Sequence, residues 1–214
     1  MASSVDKIAL YTNYDSSPSW RVRIALAIKG IKYERIFYSF DKPVQKDYNK
    51  VNPLVQVPTM LVNEQVITQS LAIIDFLNER YPKPSLLPED LIKRAKAREI
   101  AELINSGIQP VCNHFYRQYK DDLNEYKKQC RVVIERGFSA VEKILLTTAG
   151  KFAIDDMVTI ADVCLVPQVY QAKGYECDLT QFPTICKIWE NLKDVEAFKT
   201  THPDNEDDSP KSIS

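Results

Sequence analysis

Three prolines within seven residues, Pro82, Pro84 and Pro88, divide this chain into two stretches with different apolar periodicities. Proline removes a backbone donor and fixes φ, so the cluster stops a helix running into it and leaves a stiff connector. Before it, apolar residues switch between a spacing of two and a spacing of three to four. After it only the helical spacing survives, as in Ile100, Leu103 and Ile104, and in Phe138, Val141, Ile144 and Leu145. The reading is an α/β domain over residues 1–81, a linker over 82–88, an all-helical domain over 89–202 and a flexible tail over 203–214. A chain of 214 residues is long enough for two small domains with real cores.

Within the first domain, Lys7 to Thr12 reads as a strand, and a helix follows with Ser17 as its N-cap, Pro18 in its first turn and Gly30 as its left-handed stop. Tyr33 to Tyr38 alternates at period two, which completes a βαβ unit with parallel strands. A polar loop from Asp41 to Gln56 leads to a hairpin, Val57–Val62 and Gln65–Ile67, joined at Asn63-Glu64. Ser70 to Tyr81 is an amphipathic helix, so the order is βαβββα. In the second domain, Thr159-Ile160-Ala161-Asp162 reads as a capping box at the head of a helix toward Tyr170. The polar, acidic run Asn205 to Pro210 cannot bury a core and is expected to be disordered.

Charge and sulfur chemistry narrow the function. With 28 basic and 29 acidic residues, nothing favours nucleic acid or an anionic membrane as partner, which leaves small molecules or proteins. Met1 to Asp6 lacks a secretory pattern, and no apolar run approaches the roughly 20 residues of a membrane span, so a soluble, cytoplasmic protein is expected. The five cysteines are odd in number and form no Cys-x-x-Cys pair, which reads as reduced thiols in packing roles. His114 and His202 lie far apart with no ligand-spaced partner, so no metal site is expected.

Three short stretches carry candidate chemistry. The hydroxyl-rich loop around Ser16 and Ser17 opens into a helix whose free amides and dipole would stabilise an anionic sulfur or oxygen. Many helices begin with serine for capping alone, so the stretch decides nothing by itself. Val57-Pro58 enters a strand; in the cis form it would leave the Val57 backbone open to an extended peptide, and both isomers remain open from sequence. Gln69-Ser70 offers an amide, a hydroxyl and helix amides to a carboxylate, although Ser70 as a plain N-cap fits as well.

Taken together, these pieces resemble the zeta-class glutathione transferases, the class that includes maleylacetoacetate isomerase. The motifs are Ser16-Ser17-x-Ser19-Trp20-Arg21-Val22-Arg23, Asn52-Pro53, Gln56-Val57-Pro58-Thr59, Gln69 to Ile74, Gly107-Ile108-Gln109-Pro110 and Thr159 to Asp162. The likeness continues through Leu165 to Val169, Ala197-Phe198 and His202 to Asn205, nearly the whole chain. It implies a thioredoxin-like glutathione-binding domain, a helical domain supplying part of the electrophile site, and a homodimer. By resemblance, Ser16 is the catalytic hydroxyl that favours the glutathione thiolate, and Ser17 shares the role. A hydroxyl donor beside helix amides lowers a thiol pKa by stabilising its charged form. Val57, beside Pro58, corresponds to the backbone partner of the cysteinyl part. Gln69 and Ser70 correspond to holders of the γ-glutamyl end, Gln109 and Asn113 to helical-domain contacts, and Lys42 or Gln45 to contacts of the glycyl carboxylate.

Two departures stand out. Pro18 replaces the cysteine that the class carries as Ser-Ser-Cys, and Gly174 falls where its isomerases place an arginine for a substrate carboxylate. Lys173, a point charge, substitutes only in part for a bidentate guanidinium. The leading expectation is therefore a detoxifying glutathione transferase that conjugates small electrophiles. Glutathione-dependent cis-trans isomerisation of maleylacetoacetate is the alternative, and a non-enzymatic binding module of the same fold the third reading. Tyr116 and Tyr119 are candidate helpers, with packing the simpler role for each.

Overall fold

The computed structural model describes residues 6–39 and 47–209, and these divide into two compact units: one holds the chain up to Pro84 together with Glu196 onward, the other runs Ser85–Val195. The first contains β1 (Ile8–Thr12), α1 (Ser17–Ile28), β2 (Glu34–Phe37), a short α2 (Tyr48–Val51), β3 (Thr59–Val62), β4 (Gln65–Thr68) and α3 (Ser70–Arg80). The strands form one sheet in the order β2-β1-β3-β4, with β1 and β2 parallel and the other pairs antiparallel. Leu10 and Met60 from the sheet, Val22, Ile24 and Leu26 from α1, and Ile73, Ile74 and Leu77 from α3 are buried in its core.

Local chemistry explains the element ends. Gly30 has φ 63°, its amide donates to the Ala27 carbonyl at 3.0 Å, and the Ile31 amide donates to Leu26 at 3.0 Å, a Schellman stop for α1. The hairpin turns at Asn63 (φ 49°) and Glu64 (φ 71°), the mirror-image turn that matches strand twist. Asn63 also accepts from the Lys7 amide (2.9 Å) and donates to Asp6 (2.9 Å), whose carboxylate takes Arg80 and Tyr81 as well. These three donors hold the Asp6 carboxyl down at about 2.

The carboxy-terminal segment departs from expectation. After α9 (Glu196–Thr200), residues 201–209 pack on the first unit instead of ending the helical one or trailing as a disordered tail. Trp20 Nε1 donates to Thr201 Oγ1 at 3.0 Å, His202 meets the Trp20 ring edge-on at 5.3 Å, and Glu206 is fully buried against Arg23. Low hydropathy suggested disorder, but the buried arginine on α1 gives the Glu206 carboxylate a countercharge within the folded unit.

The second unit contains α4 (Leu91–Glu102), α5 (Gln109–Tyr119), α6 (Leu123–Thr148), α7 (Ile160–Gly174) and α8 (Pro183–Leu192). α4 and α5 are joined by a π-helical turn, Leu103–Ile108. Asp90 and Asp122 cap α4 and α6, accepting from Lys93 (2.8 Å) and Glu125 (3.1 Å) amides. Helix α7 is buried on nearly every side, and Phe138, Val141 and Leu145 of α6 lie in the core of this unit. The box at the head of α7 is present: the fully buried Asp162 carboxylate accepts from the Thr159 amide (2.8 Å), the Thr159 hydroxyl (3.0 Å) and the Ala153 amide (2.8 Å).

Candidate active site

Ser16 closes the amino-terminal end of α1. Its backbone is extended, and its Oγ accepts from the Ser19 amide at 3.2 Å. The cap is therefore Ser16 and not Ser17, which becomes the first helical residue. The Ser16 amide donates to Asn13 O at 3.2 Å and its carbonyl accepts from Trp20 at 2.9 Å, so the 13–16 turn makes Ser16 the last extended residue. Pro18 fits one position further in because early helix amides lack intrahelical partners. Capping uses a lone pair of Ser16 Oγ and leaves its O–H proton to donate elsewhere. Ser17 Oγ is buried without a hydrogen-bond partner among the described residues.

The Val57-Pro58 peptide is cis and stands immediately before β3. Two buried side chains hold the turn leading to it. The Tyr48 hydroxyl donates to Gln56 O (2.7 Å) and lies 2.8 Å from Thr59 Oγ1; Asn52 Nδ2 donates to Gln56 O (2.8 Å) and Thr59 Oγ1 (3.0 Å). Sequence reasoning kept Asn52 only as part of a motif and gave Tyr48 no role. The available signal was a tyrosine and an asparagine four apart in a polar loop ending at a proline.

Gln69 adopts φ 70° and ψ 118°, left-handed for a non-glycine residue, at the head of α3. Such a backbone costs about 1–3 kcal/mol and persists where the surroundings impose it. Here its carbonyl accepts from the Ile73 amide at 3.0 Å while its side chain is exposed. Ser70 is not the cap: it is the first helical residue, buried, with Oγ accepting from Arg21 Nη1 at 3.3 Å.

Register brings the three stretches together. Tyr11 pairs with Thr59, and Thr59 with Thr68, so one row of the sheet holds the end of β1, the start of β3 and the end of β4. Ser16 follows that row in sequence, Val57-Pro58 precedes it and Gln69-Ser70 follows it. Two strand spacings of about 4.8 Å separate Tyr11 from Thr68, close to the roughly 10 Å length of three extended residues. Gln45 and Lys42 lie outside the described residues.

In the second unit Gln109 opens α5 and is buried, and Asn113 is exposed one turn later. The π-helical turn before them had no counterpart in the sequence reading. It packs where α6 carries Gly137: a Cβ there would overlap the Ile108 side chain. Lys173 Nζ sits 4.2 Å from the Trp189 ring centroid, a cation–π contact, and the space beside Gly174 is open. Tyr116 packs edge-on against Tyr126, and the Tyr119 hydroxyl accepts from Gln118. Among the described residues no group of His, Cys, Asp or Glu could hold a metal ion, and no helix is long and apolar enough to cross a membrane.

Comparison with known proteins shows the family of the chain. The family model for the glutathione S-transferase N-terminal domain matches residues 15–80, the span that contains all three sheet-end stretches. A probable maleylacetoacetate isomerase 1 of Drosophila melanogaster is 44% identical, with 95% of this chain and 85% of that protein covered. The crystal structure of a maleylacetoacetate isomerase from Anaeromyxobacter dehalogenans with GSH bound in its active site is 36% identical, with a TM-score of 0.87, covering 96% of this chain and 99% of that one. A maleyl pyruvate isomerase, a bacterial zeta-class glutathione S-transferase, gives a TM-score of 0.89 at 32% identity, covering 94% and 99%. This chain belongs to the zeta-class glutathione transferase and maleylacetoacetate isomerase family.

Proposed function

We propose that this protein is an enzyme that ionises the thiol of glutathione and conjugates it to small, mostly apolar electrophiles. The observation that carries the reading is the single sheet row from which Ser16, Val57-Pro58 and Gln69-Ser70 all emerge. Glutathione supplies a nucleophilic sulfur; the chain orients it and stabilises its charge. Ser16 donates its O–H to the sulfur, a proton its capping role leaves unused, and the amides at the head of α1 add to the stabilisation. The unpartnered Ser17 hydroxyl provides a second contact. The Val57 backbone pairs with the cysteinyl part beside Pro58, and Gln69 and Ser70 hold the γ-glutamyl end. Gln45, Gln109 and Asn113 complete the contacts. Holding both reactants together supplies the remaining rate enhancement. The same reading makes the protein a cytoplasmic homodimer in a detoxifying role. Its five free thiols suit a reducing compartment, and exposed Leu54 and Val66 offer apolar surface for a second copy.

The names of the relatives favour a second reading, glutathione-dependent cis-trans isomerisation, in which the sulfur adds to a conjugated double bond, the bond rotates and the sulfur leaves. Two features weigh against it here. Pro18 supplies no thiol, and the Lys173 ammonium is committed to the Trp189 ring while Gly174 offers no side chain to a dicarboxylate. A side-by-side assay of the purified protein with glutathione, using a chloronitrobenzene and maleylacetone, decides between them. Conjugation alone supports the transferase reading. Efficient isomerisation shows that neither the thiol nor the arginine is required.

A further inference from the structure

We propose that residues 201–209 form a positioning strap for the thiol-activating turn, acting through Glu206 on Arg23 and through Asp208 on Tyr14. The inference rests on the role given to Ser16. Glu206 is fully buried, with its carboxylate 3.4 Å from Arg23 Nε and 3.4 Å from Arg35 Nη1. The Arg23 guanidinium donates onward to Thr12 Oγ1 (2.9 Å), Asn13 O (3.0 Å) and Tyr14 O (3.3 Å). Asn13 O is also the acceptor of the Ser16 amide. One line of contacts therefore runs from Glu206 through Arg23 and Asn13 to the backbone of Ser16.

The second line is shorter: Asp208 Oδ2 accepts from the Tyr14 amide at 3.0 Å. Trp20 and Thr201 anchor the start of the strap to α1. A fully buried guanidinium keeps its place only with a countercharge, and Glu206 supplies one. Burial lowers the Arg23 pKa while Glu206 opposes that shift; Asp208, Tyr33 and Arg35 complete the charged surroundings. The contacts of the strap through Arg23 and Asp208 lead to the turn that bears the hydroxyl. Its loss therefore disturbs sulfur ionisation more than glutathione binding. Glu206 and Asp208 are positioning residues and touch no reactant.

The test uses the full chain with Glu206→Gln, Asp208→Ala and Asp208→Asn, followed by hydrogen exchange of the Tyr14 and Ser16 amides and ultraviolet titration of the glutathione thiolate in the complex. A lost hydrogen bond to a carboxylate predicts exchange of the Tyr14 amide about tenfold faster in Asp208→Ala, whereas Asp208→Asn keeps an acceptor and stays near wild type. The bound thiol pKa should rise by about half to one unit in Glu206→Gln and Asp208→Ala, lowering kcat roughly 3- to 10-fold below that pKa while KM for glutathione holds within about twofold. Folded variants with wild-type exchange and a wild-type thiol pKa overturn the proposal. A wild-type complex with no thiolate band, while exchange still quickens in Asp208→Ala, overturns the Ser16 reading first and the catalytic role of the strap with it.

Discussion

Replacing Ser16 separates the capping job its hydroxyl performs from the donor role proposed for it. As the cap of α1 its oxygen accepts one amide at 3.2 Å, and losing that to alanine costs about 1 kcal/mol, but to glycine only a few tenths. In a chain of this size 1 kcal/mol lowers the thermal midpoint by about 2–4 °C, so Ser16→Ala melts earlier and Ser16→Gly nearly with wild type. The donor role is lost equally in both. A hydrogen bond to a charged group contributes about 1.5–3 kcal/mol, and one pKa unit is about 1.4 kcal/mol, so the bound thiol pKa should rise by about 1–2 units in each variant. Conjugation near neutral pH then falls roughly 10- to 100-fold and recovers as pH rises through the new pKa. Thermal melts, the thiolate absorbance titration and a pH profile of kcat measure the three effects. Ser17→Ala removes a buried hydroxyl that has no partner among the described residues and should leave stability unchanged or slightly higher. A Ser16→Gly protein that keeps the wild-type thiol pKa refutes the argument. If Ser17→Ala moves the pKa instead, the donor is Ser17.

Three other perturbations test the fold and the site. Glu64→Gly, at φ 71° in the hairpin turn, relieves a left-handed backbone and should stabilise the protein by about 0.5–1 kcal/mol, read as a rise in the thermal midpoint. Asp162→Ala strands three buried donors and should cost about 2–4 kcal/mol in chemical denaturation. Burial lifts the Asp162 carboxyl from 3.8 to about 6, above its unfolded value, so its contribution to stability is greatest below pH 4 and is lost as pH rises to 6. The variant should lack that fall across pH 4–6. Gly174→Arg enters open space at the end of α7 and should raise maleylacetone isomerisation relative to conjugation; an unchanged ratio would show that a guanidinium there grips no carboxylate.

What the sequence disclosed was local. Gly30 and Asn63-Glu64 ended their elements as expected because a left-handed residue acts on its own neighbours. The capping box of α7 was legible for the same reason, since its two residues lie three apart. The cap of α1 slipped by one because Ser16 and Ser17 are chemically identical; only the Asn13 carbonyl, which takes the Ser16 amide, distinguishes them. The larger misreading was the carboxy-terminal segment. Composition assigned Glu206 to solvent, whereas its partner Arg23 lies 183 positions earlier, in a motif read for its serines and not for a buried charge. Tyr48 and Asn52 escaped for a related reason: their value lies in two acceptors, Gln56 O and Thr59 Oγ1, that converge only once β3 is in the sheet.

The arginines of α1 show why this first unit tolerates charge in its core. Arg21 and Arg23 are two apart on a helix, about 200° around its axis, and therefore serve opposite sides. Arg21 reaches Ser70 at the head of α3, while Arg23 reaches the Thr12 hydroxyl and the Asn13 and Tyr14 carbonyls behind Ser16. Burying a charge costs several kcal/mol unless its partners repay it, and an apolar pair in the same places would pack as well. What an apolar pair could not do is fix the direction of neighbouring polar groups. A rigid guanidinium places several donors at set angles, which a lysine ammonium on a flexible stem does not. One helix thus locks the turn that carries Ser16 at one end of the sheet row and the Ser70 hydroxyl at the other, the two groups proposed to hold the sulfur and the γ-glutamyl end. On the proposed function, the buried charge fixes the geometry that ionising a thiol requires.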